Sequence, residues 1–155
     1  MTAEDRGGLP SKEEYVEFVG PNAAVYLPKF MKYEATGKKY NVGWNWSTLL
    51  AGMWWFLYRK MYLMAALTFV SYMIPVVNWV AWLIWPMFAN SLYHRHVIDK
   101  IQELRELNMD NYSTLLASAG GVNKWVVWVA IGLTAFIFLV AILGGFIVGQ
   151  GRNGM

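Results

Sequence analysis

Residues 41–62 read NVGWNWSTLLAGMWWFLYRKMY, and how this stretch is placed decides the fold. It holds Trp44, Trp46, Trp54 and Trp55 and carries no charge before Arg59 and Lys60. Three readings are open: a membrane span, a buried core helix, or an element that enters lipid and returns. The nearly uncharged part is about fourteen residues, roughly 21 Å as a helix at 1.5 Å per residue. That is short for a hydrocarbon layer of about 30 Å. The charges around it settle the choice.

The chain has 155 residues, 57% hydrophobic and 15% charged. Soluble domains carry about 25% charged residues, and a soluble core of this size leaves roughly a third of its surface wet. So much aromatic and aliphatic surface calls for lipid as a second solvent. The charges are also segregated. Residues 1–41 contain six Lys/Arg and six Asp/Glu, whereas 61–93 and 125–151 contain none. A net charge of +3 fits loops held in the cytoplasm. No basic run is interleaved with aromatics in a recognisable motif, so nucleic acid is not an expected partner. The absence of cysteine excludes disulfides, thiolate chemistry and Cys-based zinc sites. No apolar leader is visible in the polar first forty residues, and the N-terminus is expected in the cytoplasm.

Arg59 and Lys60 precede the apolar stretch 61–93, and Arg95, Lys100 and Arg105 follow it. The positive-inside tendency places both clusters in the cytoplasm, so 61–93 is expected to be a short transmembrane helical hairpin. Pro75-Val76-Val77-Asn78 supplies its turn. The opening stretch then has cytoplasmic residues on both sides. It is expected as an interfacial or re-entrant helix over 44–58, with Asn45 or Ser47 near its N-cap and Trp44, Trp46, Trp54 and Trp55 as interfacial anchors. The remaining alternative is a short span with Arg59 and Lys60 outside.

Ser11-Lys12-Glu13-Glu14 has the spacing of a capping box. Tyr15, Phe18 and Val19 line one face of the helix that follows, and Gly20-Pro21 ends it. Asn22 is placed to cap a second helix, which Pro28 is expected to interrupt. Residues 1–41 thus form a cytoplasmic helical module with an apolar face that needs a cover, the membrane surface being the nearest one. Residues 42–155 form the membrane domain. Within it Val97, Ile98, Ile101, Leu104 and Leu107 recur at helical spacing, giving cytoplasmic amphipathic helices over 97–119. A transmembrane helix follows over 125–149, with twenty-four uncharged residues from Trp125 to Val148. The fold class is an all-α integral membrane protein with its C-terminus in the periplasm.

Several motifs stand in a fixed order: Tyr15-x-x-Phe18-x-Gly20-x-Asn22, Tyr26-Leu27-x-Lys29-Phe30, Asn45-Trp46 and Trp55-x-x-Tyr58-Arg59-Lys60-Met61-Tyr62. Asn90-x-x-Tyr93-x-Arg95-His96-Val97 and Gly120-Gly121 complete them. Between about Tyr15 and Gly121 the chain resembles a small bacterial inner-membrane family known as domain of unknown function 2628. The resemblance implies a bacterial integral membrane protein and brings no activity, cofactor or catalytic residue.

Candidate chemistry is sparse. His94 and His96 are two apart, so on a helix they point about 200° away from each other and cannot share a metal. No catalytic, cofactor-binding or metal residue is therefore assigned, and no cofactor is expected. A lipid-acting enzyme would have to rely on Tyr93, His94 and His96. No ionisable group lies within the expected spans, which weighs against a pump. Asn90 and Ser91 are suited to tying their helix to another element. Arg59, Lys60, Arg95, Lys100, Arg105 and Lys124 are expected at one leaflet, in contact with anionic lipid headgroups. Ala141, Gly145 and Gly149 form a small-residue seam on which another helix can pack. The expected function is a non-enzymatic accessory or scaffold subunit of a bacterial inner-membrane complex. It would dock a larger complex, or copies of itself, through the last helix and the tryptophan-rich face. The alternative is a homo-oligomeric small transporter or channel.

Overall fold

The structure is a computed structural model that describes residues 8–107 and 110–153, with side-chain surroundings given as far as residue 145. Among these residues it is all helical. The elements are α1 (Lys12–Val19), α2 (Ala23–Thr36), α3 (Trp46–Ala51), α4 (Met53–Tyr58), α5 (Tyr62–Met73), α6 (Pro75–Glu106), α7 (Tyr112–Ala119) and α8 (Lys124–Asn153). The chain divides into two compact units, one through Val122 and one from Asn123 onward. The first unit therefore takes in the N-terminal helices and everything up to α7, where the sequence alone suggested a boundary at residue 41.

The capping box forms as its spacing requires. Ser11 N–H donates to Glu14 Oε2 at 2.7 Å, and Glu14 N–H donates to Ser11 Oγ at 3.2 Å. The short α1 is thereby fixed at its start, and it buries Tyr15, Phe18 and Val19. Pro28 does not interrupt α2, which runs through it from Ala23 to Thr36. An internal proline costs about 3 kcal/mol. Burial of Tyr26 on one side of it and Phe30 and Tyr33 on the other holds the helix together.

The cover of this module is the chain itself, not a membrane surface. Tyr15, Phe18, Val19, Tyr26 and Phe30 share one core with Tyr93, Val97 and Ile101 of α6, Leu116 of α7, and Trp55 and Phe56 of α4. The periodic apolar face beginning at Val97 is used here, so that part of α6 packs on α1 and α2. Leu107, the last residue of the pattern, is left exposed. At the end of α7, Gly121 N–H donates to Phe18 O at 2.7 Å. The backbones are so close that a Cβ on Gly120 would lie 1.9 Å from that carbonyl oxygen. Only glycine fits.

The tryptophan-rich stretch after Asn41 is two helices, not one. Asn45 caps α3 by accepting from Thr48 N–H at 3.1 Å. Gly52 then breaks the run with φ 52° and ψ −125°, a backbone conformation suited to glycine. Helix α3 packs on α6, α4 packs on α5, and the two pack on each other. Both ends of the pair return to the middle of α6, about two turns apart. Asn45 N–H donates to Pro86 O at 3.0 Å, and Trp55, one turn from the other end, stacks edge-on against Tyr93 at 5.9 Å. The tip at Gly52 lies instead beside the Tyr72 ring near the far end of α5.

Helices α5 and α6 form a hairpin whose only non-helical residue is Ile74. Pro75 occupies the first position of α6, where its missing N–H removes one of the donors that a helix start leaves unused. The second arm continues without a break to Glu106. In the second unit, α8 as far as Gly145 belongs to the stretch Tyr112–Gly145 that is long and apolar enough to cross a membrane, with a mean hydropathy of 2.8 over an 18-residue window. It is the one such helix among the described residues, since α5 has only twelve residues.

Replacing Gly120 with Ala forces backbone movement at Phe18 and is expected to lower stability by about 2–3 kcal/mol or more. Gly132→Ala on α8 meets nothing within 4 Å and should be neutral. Thermal unfolding of both variants in a mild detergent, followed by tryptophan fluorescence, checks the contrast.

Candidate functional site

A layer of polar and aromatic side chains runs through the first unit at the level of Asn90 to His94. Its centre is Arg59, which follows α4 and is 5% exposed. The Arg59 Cζ lies 4.5 Å from the Tyr26 ring centroid, 5.0 Å from that of Tyr93 and 5.6 Å from that of Tyr58. No ion pair is formed to it among the described residues, and its Nε and Nη1 atoms are enclosed without a hydrogen-bond acceptor. The ring faces supply the negative potential that a carboxylate would otherwise provide. Lys60, next in the chain, has φ 59°, unusual for a side-chain-bearing residue. Its Nζ donates to Ser118 O at 2.8 Å.

Asn90 and Ser91 hold the segment before α3. Asn45 Nδ2 donates to Asn90 Oδ1 at 3.0 Å, Asn90 Nδ2 donates to Trp44 O at 3.2 Å, and Asn41 N–H donates to Ser91 Oγ at 3.0 Å. Gly43 N–H adds a bond to Met87 O at 2.9 Å. The tie between elements expected of Asn90 and Ser91 is thus made, to residues 41–45.

One turn further along α6, His94 joins Tyr15 and Glu34. The Tyr15 hydroxyl donates to Glu34 Oε1 at 2.5 Å and lies 3.3 Å from His94 Nε2, which is itself 3.6 Å from Glu34 Oε1. Burial lowers the His94 pKa and outweighs the opposing pull of Glu34, so the ring is neutral at pH 7. Burial and the neighbouring carboxylate both push the Tyr15 phenol up. The His94 ring packs against those of Phe30 and Tyr33, at 4.7 and 5.9 Å between centroids. His96 lies on another face of α6, and the described residues contain no group of three or more metal-ligating side chains.

Glu14, Arg105 and Tyr112 join α1, α6 and α7. Arg105 Nε donates to Glu14 Oε1 at 2.8 Å, its Nη2 pairs with Oε2, and the Tyr112 hydroxyl donates to Oε1 at 2.6 Å. Burial raises the Glu14 pKa, but the bonds from Arg105, Tyr112 and Ser11 N–H outweigh it and hold the carboxyl at about 2.

These contacts redistribute the basic residues expected at lipid headgroups. Arg59 is a correction: it sits inside the protein between rings and does not present its charge at a surface. Arg105 is engaged with Glu14, Lys100 with Glu103 at 2.6 Å, and Lys60 with the end of α7. The Arg95 guanidinium lies over Tyr40, 4.7 Å from its centroid. Lys124 is exposed at the start of α8. Among the expected anchors, Trp44 and Trp46 are exposed and pack edge-to-face at 5.6 Å, while Trp54 is half-buried. Trp55 is a second correction: at 5% exposure it belongs to the core. Ala141 and Gly145 are exposed on α8, with nothing within 4 Å of a Cβ on Gly145. Gly149 lies in α8 beyond the residues whose surroundings are described. Sequence reasoning missed Tyr26 as the partner of Arg59 and Glu34 as the partner of Tyr15, because neither pairing has a local spacing.

Comparison with known proteins finds no family model that matches the chain, no similar curated protein and no similar solved structure.

The Glu14 carboxylate is depressed from 4.5 to about 2 in the folded state, so its contribution is complete above pH 4.5 and is lost as pH falls toward 2. Glu14→Gln should remove about 1.5–3 kcal/mol at pH 7, the value of hydrogen bonds to a charged group. Its unfolding temperature should also vary less than that of the wild type between pH 5 and 2. Melting curves across that range provide the check.

Proposed function

We propose that the protein is a non-enzymatic accessory or scaffold subunit of the bacterial inner membrane. The observation that carries this reading is the surface of α8. Every residue from Ile131 to Gly145 is exposed, on all sides of the helix, and none is charged. A helix of this kind needs lipid or an apolar partner around it, because exposed aliphatic area costs about 25 cal/mol per Å² in water. Its length of thirty residues, about 45 Å, covers a hydrocarbon layer with some tilt.

In this reading α1, α2, α7 and the charged half of α6 form a cytoplasmic head. The α3–α4 pair and the α5–α6 hairpin enter the bilayer from that side and return to it, and α8 crosses once to a periplasmic C-terminus. Trp44, Trp46 and Lys124 lie at headgroup depth in this reading, where indoles and ammonium groups favour the interface with anionic lipid. Residues 15–121 would represent a divergent form of the domain of unknown function 2628 pattern. The Ala141–Gly145 side of α8 and the Trp44–Trp46 surface are where a larger complex or a second copy would dock.

Extraction in a gentle detergent, followed by native mass spectrometry, should recover the chain with a partner or as an oligomer. Gly145→Leu, which meets no neighbour in the fold, should reduce the associated fraction several-fold without changing the unfolding temperature. A partnerless monomer from wild-type membranes would contradict the scaffold role.

A further inference from the structure

The hairpin and the helix pair beside it have a depth that can be read from their lengths. Helix α5 has twelve residues, about 18 Å at 1.5 Å per residue. The arm of α6 from Pro75 to Pro86, where the segment before α3 is tied on, is about 17 Å long. The two arms agree, and each exceeds one leaflet's hydrocarbon of about 15 Å while falling far short of 30 Å. The α3–α4 pair points the same way: its tip at Gly52 touches the Tyr72 ring, one residue before the end of α5.

The tip of the hairpin is apolar. Met73, Ile74, Val76, Val77 and Trp79 are all exposed, Val76 at 80%, and Asn78 is the single polar side chain. Were this turn at the far interface, four large aliphatic side chains would lose burial worth about 1.5–3 kcal/mol each. About 12 Å of mismatch would add fractions of a kcal/mol per Å. Within the hydrocarbon the cost is the unpaired backbone donors of the first turn of α6 and the unpaired carbonyls of the last turn of α5, about 1–3 kcal/mol each. Pro75 has already removed one of these, and Asn78 N–H is satisfied by Ile74 O at 2.8 Å. The apolar tip and the mismatch together are of the same order as these groups, and the equal length of the two arms favours the shallower placement.

We propose that the first unit enters only one leaflet. Helices α3 to α5 and the first part of α6 form a re-entrant wedge that ends near the bilayer midplane, its exposed face covered by acyl chains of the cytoplasmic leaflet. This rests on the membrane reading above and replaces the transmembrane hairpin expected from sequence. The wedge occupies lateral area in one leaflet and not the other. The four-element cross-section is closed on its inner side by Phe56, Ala65, Thr68 and Ala89, all buried.

The chain has no cysteine, so single cysteines report position directly. Val76→Cys marks the tip and Lys38→Cys the head; both sites are exposed. Right-side-out and inside-out membrane vesicles, washed with alkaline carbonate, are treated with a membrane-impermeant maleimide. The expected result is that Val76→Cys is unlabelled from either side and becomes reactive in detergent, while Lys38→Cys labels in inside-out vesicles only. A nitroxide at Val76→Cys should then show high accessibility to oxygen and low accessibility to a water-soluble nickel chelate. Labelling of Val76→Cys in right-side-out vesicles would show a crossing hairpin and overturn the wedge while leaving the membrane reading intact. Release of the protein by carbonate would overturn the membrane reading itself, and the wedge with it.

Discussion

A buried positive charge with no carboxylate paired to it among the described residues constrains everything around it. Taking a guanidinium out of water costs several kcal/mol even after relaxation. A well-placed aromatic face returns about 0.5–2 kcal/mol. One ring is too little, but three are comparable with the cost. Arg59 has three, from α2, α4 and α6. The cation therefore requires Tyr26 and Tyr93 to be present together, and in meeting that need it pins the α4–α5 turn to both the N-terminal helices and the long helix. The tryptophan-rich segment folds back on itself because its far end is held there, while its near end is held by Asn90 and Pro86.

Helix α6 is the element that converts this clamp into an architecture. Its first third is exposed and apolar, its middle carries Asn90, Ser91, Tyr93 and His94 in the buried polar layer, and its last third is amphipathic. Solvent preference changes along one continuous rod. The N-terminal helices cover only the last two parts, with Glu14 and Arg105 closing the charged end. Within the first unit, charge gathers at one end of α6 and bare aliphatic surface at the other, and the proposed membrane role rests on that contrast.

Local features of this fold were legible in the sequence. The Ser11–Glu14 box and the Asn45 cap each depend on residues within four positions of one another, and each forms as its spacing suggests; the hairpin turn expected at Pro75–Asn78 falls instead on Ile74, with Pro75 starting α6. The features that escaped are long-range. Nothing local distinguishes Arg59, destined for a tyrosine cage, from Lys60, which reaches a carbonyl on α7. Periodicity shows that Tyr15, Phe18 and Phe30 need a cover but not that α6 provides it. Gly52 looks like a tolerated helix glycine until its positive φ is seen. Pro28 looks like a breaker until the burial on both sides of it is seen.

The clamp is tested most directly by a double-mutant cycle between Arg59→Met and Tyr26→Leu, with unfolding free energies measured in a mild detergent. Each single change should destabilise the protein. The pair should be less destabilising than the sum by about 1–2 kcal/mol, the worth of a desolvated cation over a ring. Strict additivity would contradict the account: Arg59 and Tyr26 would then be neighbours whose contact does not hold the tryptophan-rich segment in place.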